Sequence, residues 1–200
     1  MQDAIHHLRT TDPVLARIIE RVGEYRIEFR EPGFETLVKA IVYQQLSGRV
    51  AAVIFGRLAR AAGEPLTAEG VLKLRPSRMR SLGLSKQKIA YIRDLARQTR
   101  SGQVDFAALA GLTDDEVIEK LTAVKGVGVW TAHMFLIFAL RRHNVLPIGD
   151  LGIRAAIRKA YGLAEVPTPA EVADLARPWH PWCTVASWYL WRSLEPNANL

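Results

Sequence analysis

Two glycines at spacing two, set between two runs of helical periodicity, constrain this chain most. They stand in Lys125-Gly126-Val127-Gly128. Upstream, Thr113-Asp114-Asp115-Glu116 reads as a capping box opening a helix through Val117, Ile118 and Leu121. Downstream, Trp130, Met134, Ile137 and Phe138 recur at helical spacing, predicting a helix from about Val129 to Leu140. Glycine tolerates positive φ, so the pair allows a tight turn between the helices. Such a hairpin presents backbone N–H groups and a helix N-terminus, a setting suited to a phosphate. Beyond an Asn144-Val145-Leu146-Pro147 loop, Asp150 stands at the start of a further helix, Leu151 to Tyr161, closed by Gly162.

The remaining segments also read as helices. Asp12-Pro13 is an N-cap followed by Pro, with Leu15, Ile18, Ile19 and Val22 as the buried stripe before Gly23. Tyr25 to Arg30 alternates like a short strand. Helices are expected over Glu35–Gln45, from a Ser47 cap to Ala62, near Ala68–Leu72, from Pro76 toward Gly83, and from a Ser85 cap to Arg100. Thr168-Pro169-Ala170-Glu171 is a second capping box, and Thr184 is expected to cap a final helix carrying Trp188, Tyr189 and Trp191. The fold class is all-α.

At 200 residues and 49% apolar composition the chain can bury a real core and is not a disordered segment. A net charge of +7 points to a polyanionic partner, although charge alone does not separate nucleic acid from an anionic membrane surface. No apolar run reaches the ~20 residues that span a bilayer. Cys183 is the single cysteine, which excludes an internal disulfide and an all-cysteine iron–sulfur cluster and leads us to expect a cytoplasmic protein. Between Arg75 and Arg100 there are eight Lys or Arg and one acid, Asp94. Such a run reads either as a solvated face or as a face near phosphates.

Val124 to Ala132 (VKGVGVWTA) followed by Pro147-Ile148-Gly149-Asp150 resembles the helix-hairpin-helix DNA glycosylases, and within them the 3-methyladenine DNA glycosylase II branch. Ile41 to Ser47 (IVYQQLS) resembles that branch's Gln-Gln-x-Ser turn, and Pro181 to Trp191 resembles its closing helix. The resemblance implies two interleaved helical lobes with a cleft between them. Segment 36–144 would form one lobe, and 1–35 with 145–200 the other. It implies a monofunctional enzyme, active as a monomer, that flips alkylated purines out of double-stranded DNA and hydrolyses the N-glycosidic bond in base excision repair. Two other readings remain open: a non-catalytic DNA-binding module, and a glycosylase for another lesion class.

The residues carry matching implications. Asp150 is on its own terms an N-cap; the resemblance makes it also the carboxylate that faces an oxocarbenium-like sugar. Trp130 occupies the position of the Schiff-base lysine found in bifunctional relatives, so no lyase activity is expected. Trp130, Met134, Trp188 and Trp191 match base-pocket positions, with core packing as the alternative for each. Met134 stands where the family often has an aromatic, and Cys183 where relatives often carry Arg. Gln45 matches a wedge filling the gap left by a flipped base, unless it is simply a surface glutamine beside a helix start. Gln44, Ser47, Lys125, Gly126, Val127, Gly128 and Thr131 complete the implied DNA-binding set. No cofactor is required. A structural Na+ or K+ is implied at the hairpin, on main-chain carbonyls of Thr122, Val124 and Val127.

Overall fold

Every regular element among the described residues is helical, and most begin at a residue that caps or pre-sets the first turn. The computed structural model describes residues 1–195; residues 196–200, the end of the expected segment 145–200, lie outside the described residues. The order is α1 (Gln2–Thr11), α2 (Pro13–Val22), α3 (Phe34–Tyr43), α4 (Gly48–Ala62), α5 (Ala68–Lys73), α6 (Pro76–Ser81), α7 (Lys86–Arg100), α8 (Asp114–Thr122), α9 (Val129–Phe138), α10 (Leu151–Tyr161), α11 (Pro169–Leu175) and α12 (Cys183–Arg192). Short 3₁₀ turns cover Ala108–Gly111 and Arg177–Trp179. Both capping boxes form, Thr113 with Glu116 and Thr168 with Glu171. None of the helices is long and apolar enough to cross a membrane.

The chain divides into two units: residues 1–29 with the described residues from 141 onward, and residues 30–140. In the first, Leu8, Leu15, Ile18, Ile153, Ile157, Trp179 and Tyr189 are buried in one core. The carboxylate of Asp12 sits within it. One oxygen accepts the amides of Val14 and Leu15 at 2.9 and 3.0 Å, and the other accepts Trp179 Nε1 at 2.8 Å and the Tyr161 hydroxyl. The helix cap thus doubles as a buried junction, with each polar group satisfied.

In the second unit α7 is the central rod, packing against both α3 and α5. Its Ile89, Ile92, Leu95 and Ala96 are buried, as are Leu37, Val38 and Ile41 of α3. Beside them α8 and α9 pair as the two arms of the hairpin.

Five expectations change. Residues 25–30 form no strand: the alternation arises because Tyr25 and Ile27 lean on the core, with Tyr25 4.8 Å from the Trp188 ring. Gln44 and Gln45 lie past the end of α3. Ser47 stands at the N-cap of α4 but makes no capping bond. Helix α9 ends at Phe138, two residues early. Thr184 lies inside α12, whose N-cap is Trp182; its hydroxyl instead donates to the Arg142 carbonyl at 2.7 Å and accepts the Val145 amide at 3.0 Å.

Helix α1 had no signal among the expected elements. Its apolar positions are sparse, with Ala4 and Leu8 buried, and its start carries no side-chain cap.

Candidate functional site

Asp150 caps α10 in the unit that contains both N- and C-terminal segments. Its Oδ1 accepts the Ile153 amide at 2.8 Å and the Trp191 indole N–H at 2.9 Å, and the residue is 8% exposed. Gly152 makes this arrangement possible. A Cβ there would come within 3.1 Å of Asp150 Oδ1 and 3.3 Å of the Trp191 ring. A glycine in place of a better helix former is weakly disfavoured even near a helix start, and that departure is the sequence signal that marks Gly152.

Trp188 is buried, edge-on to Tyr25 and to Tyr189 at 5.0 Å, with Arg192 5.8 Å above its ring. Trp191 is half-buried. Burial pushes the Cys183 thiol up to about 12, consistent with an inert core side chain.

In the unit of residues 30–140 the structure brings together Gln44, Gln45, Trp130, Thr131 and Met134 around a cavity of about 550 Å³. That volume falls within the ~300–1,000 Å³ of ordinary small-molecule sites. Arg30, Lys39, Tyr43 and Phe138 also line it, none of them expected from the sequence. Arg30 lies 5.9 Å from the Phe138 ring and Lys39 5.7 Å from the Tyr43 ring. Trp130 is 51% exposed, too much for a core tryptophan, whereas Thr131 is buried.

The hairpin turn is held from several sides. Gly126 has φ +81°, and a Cβ there would collide with the Tyr91 ring, so this position requires glycine twice over. Gly128 has φ −95° and is an ordinary extended N-cap for α9; only the first glycine needs the left-handed region. Having no side chain, Gly128 leaves the start of α9 without a capping oxygen. Asp94 accepts the Lys125 amide at 3.0 Å, and Gln44 Nε2 donates to the Gly126 carbonyl at 2.9 Å. Burial alone would raise the Asp94 carboxyl. Hydrogen bonds from the Lys125 amide, Arg97 and Gln98, with the Arg97 charge, outweigh it and hold the group below the usual carboxylate value.

Val127 is buried, while Lys125 and Ser47 are exposed. The Val124 carbonyl accepts the Val127 amide at 3.1 Å, and the Thr122 hydroxyl donates to the Ile118 carbonyl at 2.7 Å. Among the described residues no three His, Cys, Asp or Glu converge as metal ligands.

Comparison with known proteins gives a consistent answer. Residues 38–181 match the family model of the HhH-GPD superfamily base excision DNA repair proteins. DNA-3-methyladenine glycosylase 1 of Schizosaccharomyces pombe is 36% identical over 94% of this chain and 85% of its own length. The structure of the 3-methyladenine DNA glycosylase of S. pombe in complex with abasic DNA superposes with a TM-score of 0.84 at 35% identity, covering 95% of each chain. The crystal structure of DNA-3-methyladenine glycosidase from Bacillus halodurans gives 0.87 at 37% identity, over 94% of this chain and 88% of that one.

Proposed function

Because the chain belongs to the HhH-GPD superfamily of base excision DNA repair proteins, we propose that it is a monofunctional DNA glycosylase excising alkylated purines of the 3-methyladenine type from duplex DNA. The observation that carries this reading is the setting of Asp150. A carboxylate held at a helix start by two N–H donors to one oxygen has a fixed direction before any substrate arrives. A binding module needs no such group.

In the proposed reaction the lesion leaves the stack, at a cost of a few kcal/mol that is smaller for a weakened pair. As the C–N bond breaks, positive charge grows on the sugar, and the Asp150 carboxylate offsets it. The same group can orient the water that attacks the sugar. A base alkylated on a ring nitrogen is already cationic and leaves without a strong general acid. The exposed indole of Trp130 offers such a base an electron-rich face, with Met134 beside it at the cavity. We assign Trp191 to holding Asp150; Trp188 belongs to the core of the same unit.

The turn around Gly126 would take a DNA phosphate on backbone N–H groups, with Lys125 nearby and Gln45 as the wedge. A Na+ or K+ would be held by the carbonyls of Thr122, Val124 and Val127; the Val124 oxygen accepts one amide, which leaves it a second lone pair. We propose no iron–sulfur cluster, since Cys183 is the single thiol and is buried, and a cytoplasmic site of action.

The test is direct. Incubation with methylated duplex DNA should release free 3-methyladenine, identified by mass spectrometry, and leave strands that break only after alkali. Release of no base from any alkylated duplex would leave the non-catalytic reading.

A further inference from the structure

Among the basic residues of 75–100, three bond within their own unit, Lys88 and Arg93 from half-buried positions and Arg97 from an exposed one. Lys88 Nζ donates to the carbonyls of Val42 and Gln44 at 2.6 and 2.7 Å, Arg93 donates to the Leu74 carbonyl at 2.8 Å, and Arg97 pairs with Asp94 at 3.2 Å. The two carbonyls held by Lys88 end α3, where helical oxygens lack intrahelical partners and a cation is favoured. Burial lowers the Lys88 pKa, as expected for an ammonium withdrawn from water.

Gln44 is held at both ends. Its carbonyl takes the Lys88 ammonium, while its side-chain amide donates to the Gly126 carbonyl in the hairpin. The next residue, Gln45, is exposed and has φ +55°, a left-handed conformation that a non-glycine residue keeps only when its surroundings impose it. Lys88, Tyr91, Asp94 and Gln98 follow one another at spacings of three and four, so they share one face of α7. Along that face Lys88 holds the 42–45 turn, Tyr91 fills the space above Gly126, Asp94 takes the Lys125 amide, and Gln98 donates to the Ala123 carbonyl at 3.3 Å.

We propose that Lys88 and Gln44 are positioning residues that lock the Gln45 turn to the Gly126 hairpin, so that wedge and phosphate anchor meet the duplex as one rigid piece. The proposal rests on the glycosylase reading above. It removes Lys88 from the set of phosphate contacts and gives Gln44 a task other than touching DNA. With the tie intact, docking of the hairpin on a phosphate fixes where Gln45 enters the stack.

The experiment compares Lys88→Met with Arg93→Met. Both remove cation-to-carbonyl bonds from α7, two for Lys88 and one for Arg93, but Arg93 ties the end of α5 and neither DNA-facing turn. Three readouts are used at matched folding: excision from methylated duplex, the salt dependence of binding to an undamaged duplex, and the fluorescence of 2-aminopurine flanking a tetrahydrofuran abasic analogue at saturating protein. Lys88→Met should lose about tenfold in excision, and the 2-aminopurine signal that reports wedge insertion should fall. Its log–log salt slope should equal that of wild type, and Arg93→Met should resemble wild type throughout.

A slope smaller by ~0.9, the value of one phosphate contact, would make Lys88 a DNA ligand and overturn the proposal. Equal losses in the two variants would reduce Lys88 to fold support, with the same consequence. Should Lys88→Met fail to fold, Gln44→Met removes only the amide–Gly126 tie and should reproduce the fluorescence loss; an unchanged signal there refutes the coupling. A wild-type protein that releases no base but still inserts its wedge would sink the glycosylase reading alone, because the fluorescence and salt arms do not require chemistry.

Discussion

The indole N–H of Trp191 donates to Asp150 Oδ1 at 2.9 Å, the same oxygen that accepts the Ile153 amide. One carboxylate oxygen is therefore fixed by two donors from different helices, α10 and α12. Gly152 keeps the space between them clear.

Asp150→Asn separates the cap from the chemistry. The asparagine oxygen can accept both N–H donors, and Asn is as good an N-cap as Asp, so the melting temperature should change little. The negative charge disappears. Single-turnover release of 3-methyladenine should fall at least a hundredfold, about 2.7 kcal/mol at ~1.36 per tenfold. Near-wild-type release from a folded mutant would leave Asp150 a helix cap and nothing more.

Trp191→Phe keeps an aromatic ring and removes the donor to Asp150. Excision should drop about tenfold, comparable to the ~1.5 kcal/mol of a hydrogen bond to a charged group. The loss should be similar for cationic 3-methyladenine and neutral hypoxanthine, because the altered group is the carboxylate's support. A deficit confined to cationic bases would instead place the ring against the base.

Gly126→Ala meets two obstacles, a left-handed φ and the Tyr91 ring. Backbone strain of this kind costs on the order of 1–3 kcal/mol, and ring displacement adds to it. Binding to undamaged duplex should weaken severalfold or more in a filter or gel-shift titration. Gly128→Ala, at an ordinary φ with open space around it, should bind far better than Gly126→Ala. Equal behaviour of the two alanines would show that the turn is not pinned by Tyr91.

Asp94 makes the hairpin sensitive to acid. Its folded pKa lies below its unfolded one, so its stabilising contribution is complete above the unfolded value of about 3.9 and is lost as pH falls through the lowered folded value. Glu116 and Glu171 are lowered by their cap hydrogen bonds and titrate in the same direction. The difference between wild type and Asp94→Asn isolates the residue. Wild type should melt above the mutant at pH 7 and lose that lead progressively as pH falls below the unfolded value. A constant gap across this range would rule out the carboxylate as its source.

What was legible in the sequence was local. Asp12, Ser85, Thr113, Asp150 and Thr168 act within three residues of themselves, and each caps its helix as read. The carbonyls held by Lys88, the Lys125 amide held by Asp94 and the Asp150 carboxylate held by Trp191 lie 31 to 46 residues away, at spacings that no periodicity encodes. The basic run therefore read as a solvated face or a face near phosphates, although three of its members bond within the unit. Thr184 misled for a related reason: its hydroxyl serves the 142–145 loop instead of its own helix start. The family motifs identified the helices around Asp150 and the hairpin, while the tie between Gln44 and Gly126 had to be seen in three dimensions.

The division of the chain has a consequence for its synthesis. The unit that carries the hairpin is one continuous stretch, residues 30–140, whereas the unit that carries Asp150 is stitched from both sides of it. Helices α1 and α2 leave the ribosome before residues 30–140, yet Leu15 and Ile18 share their core with Ile153, Ile157 and Tyr189. At roughly 5–20 residues per second those partners follow on the order of 7–35 s later. Through that interval the apolar stripe of α2 waits, and Asp12 lacks both Tyr161 and Trp179. The carboxylate assigned to bond cleavage thus acquires its surroundings last, after the duplex-gripping turn has been made.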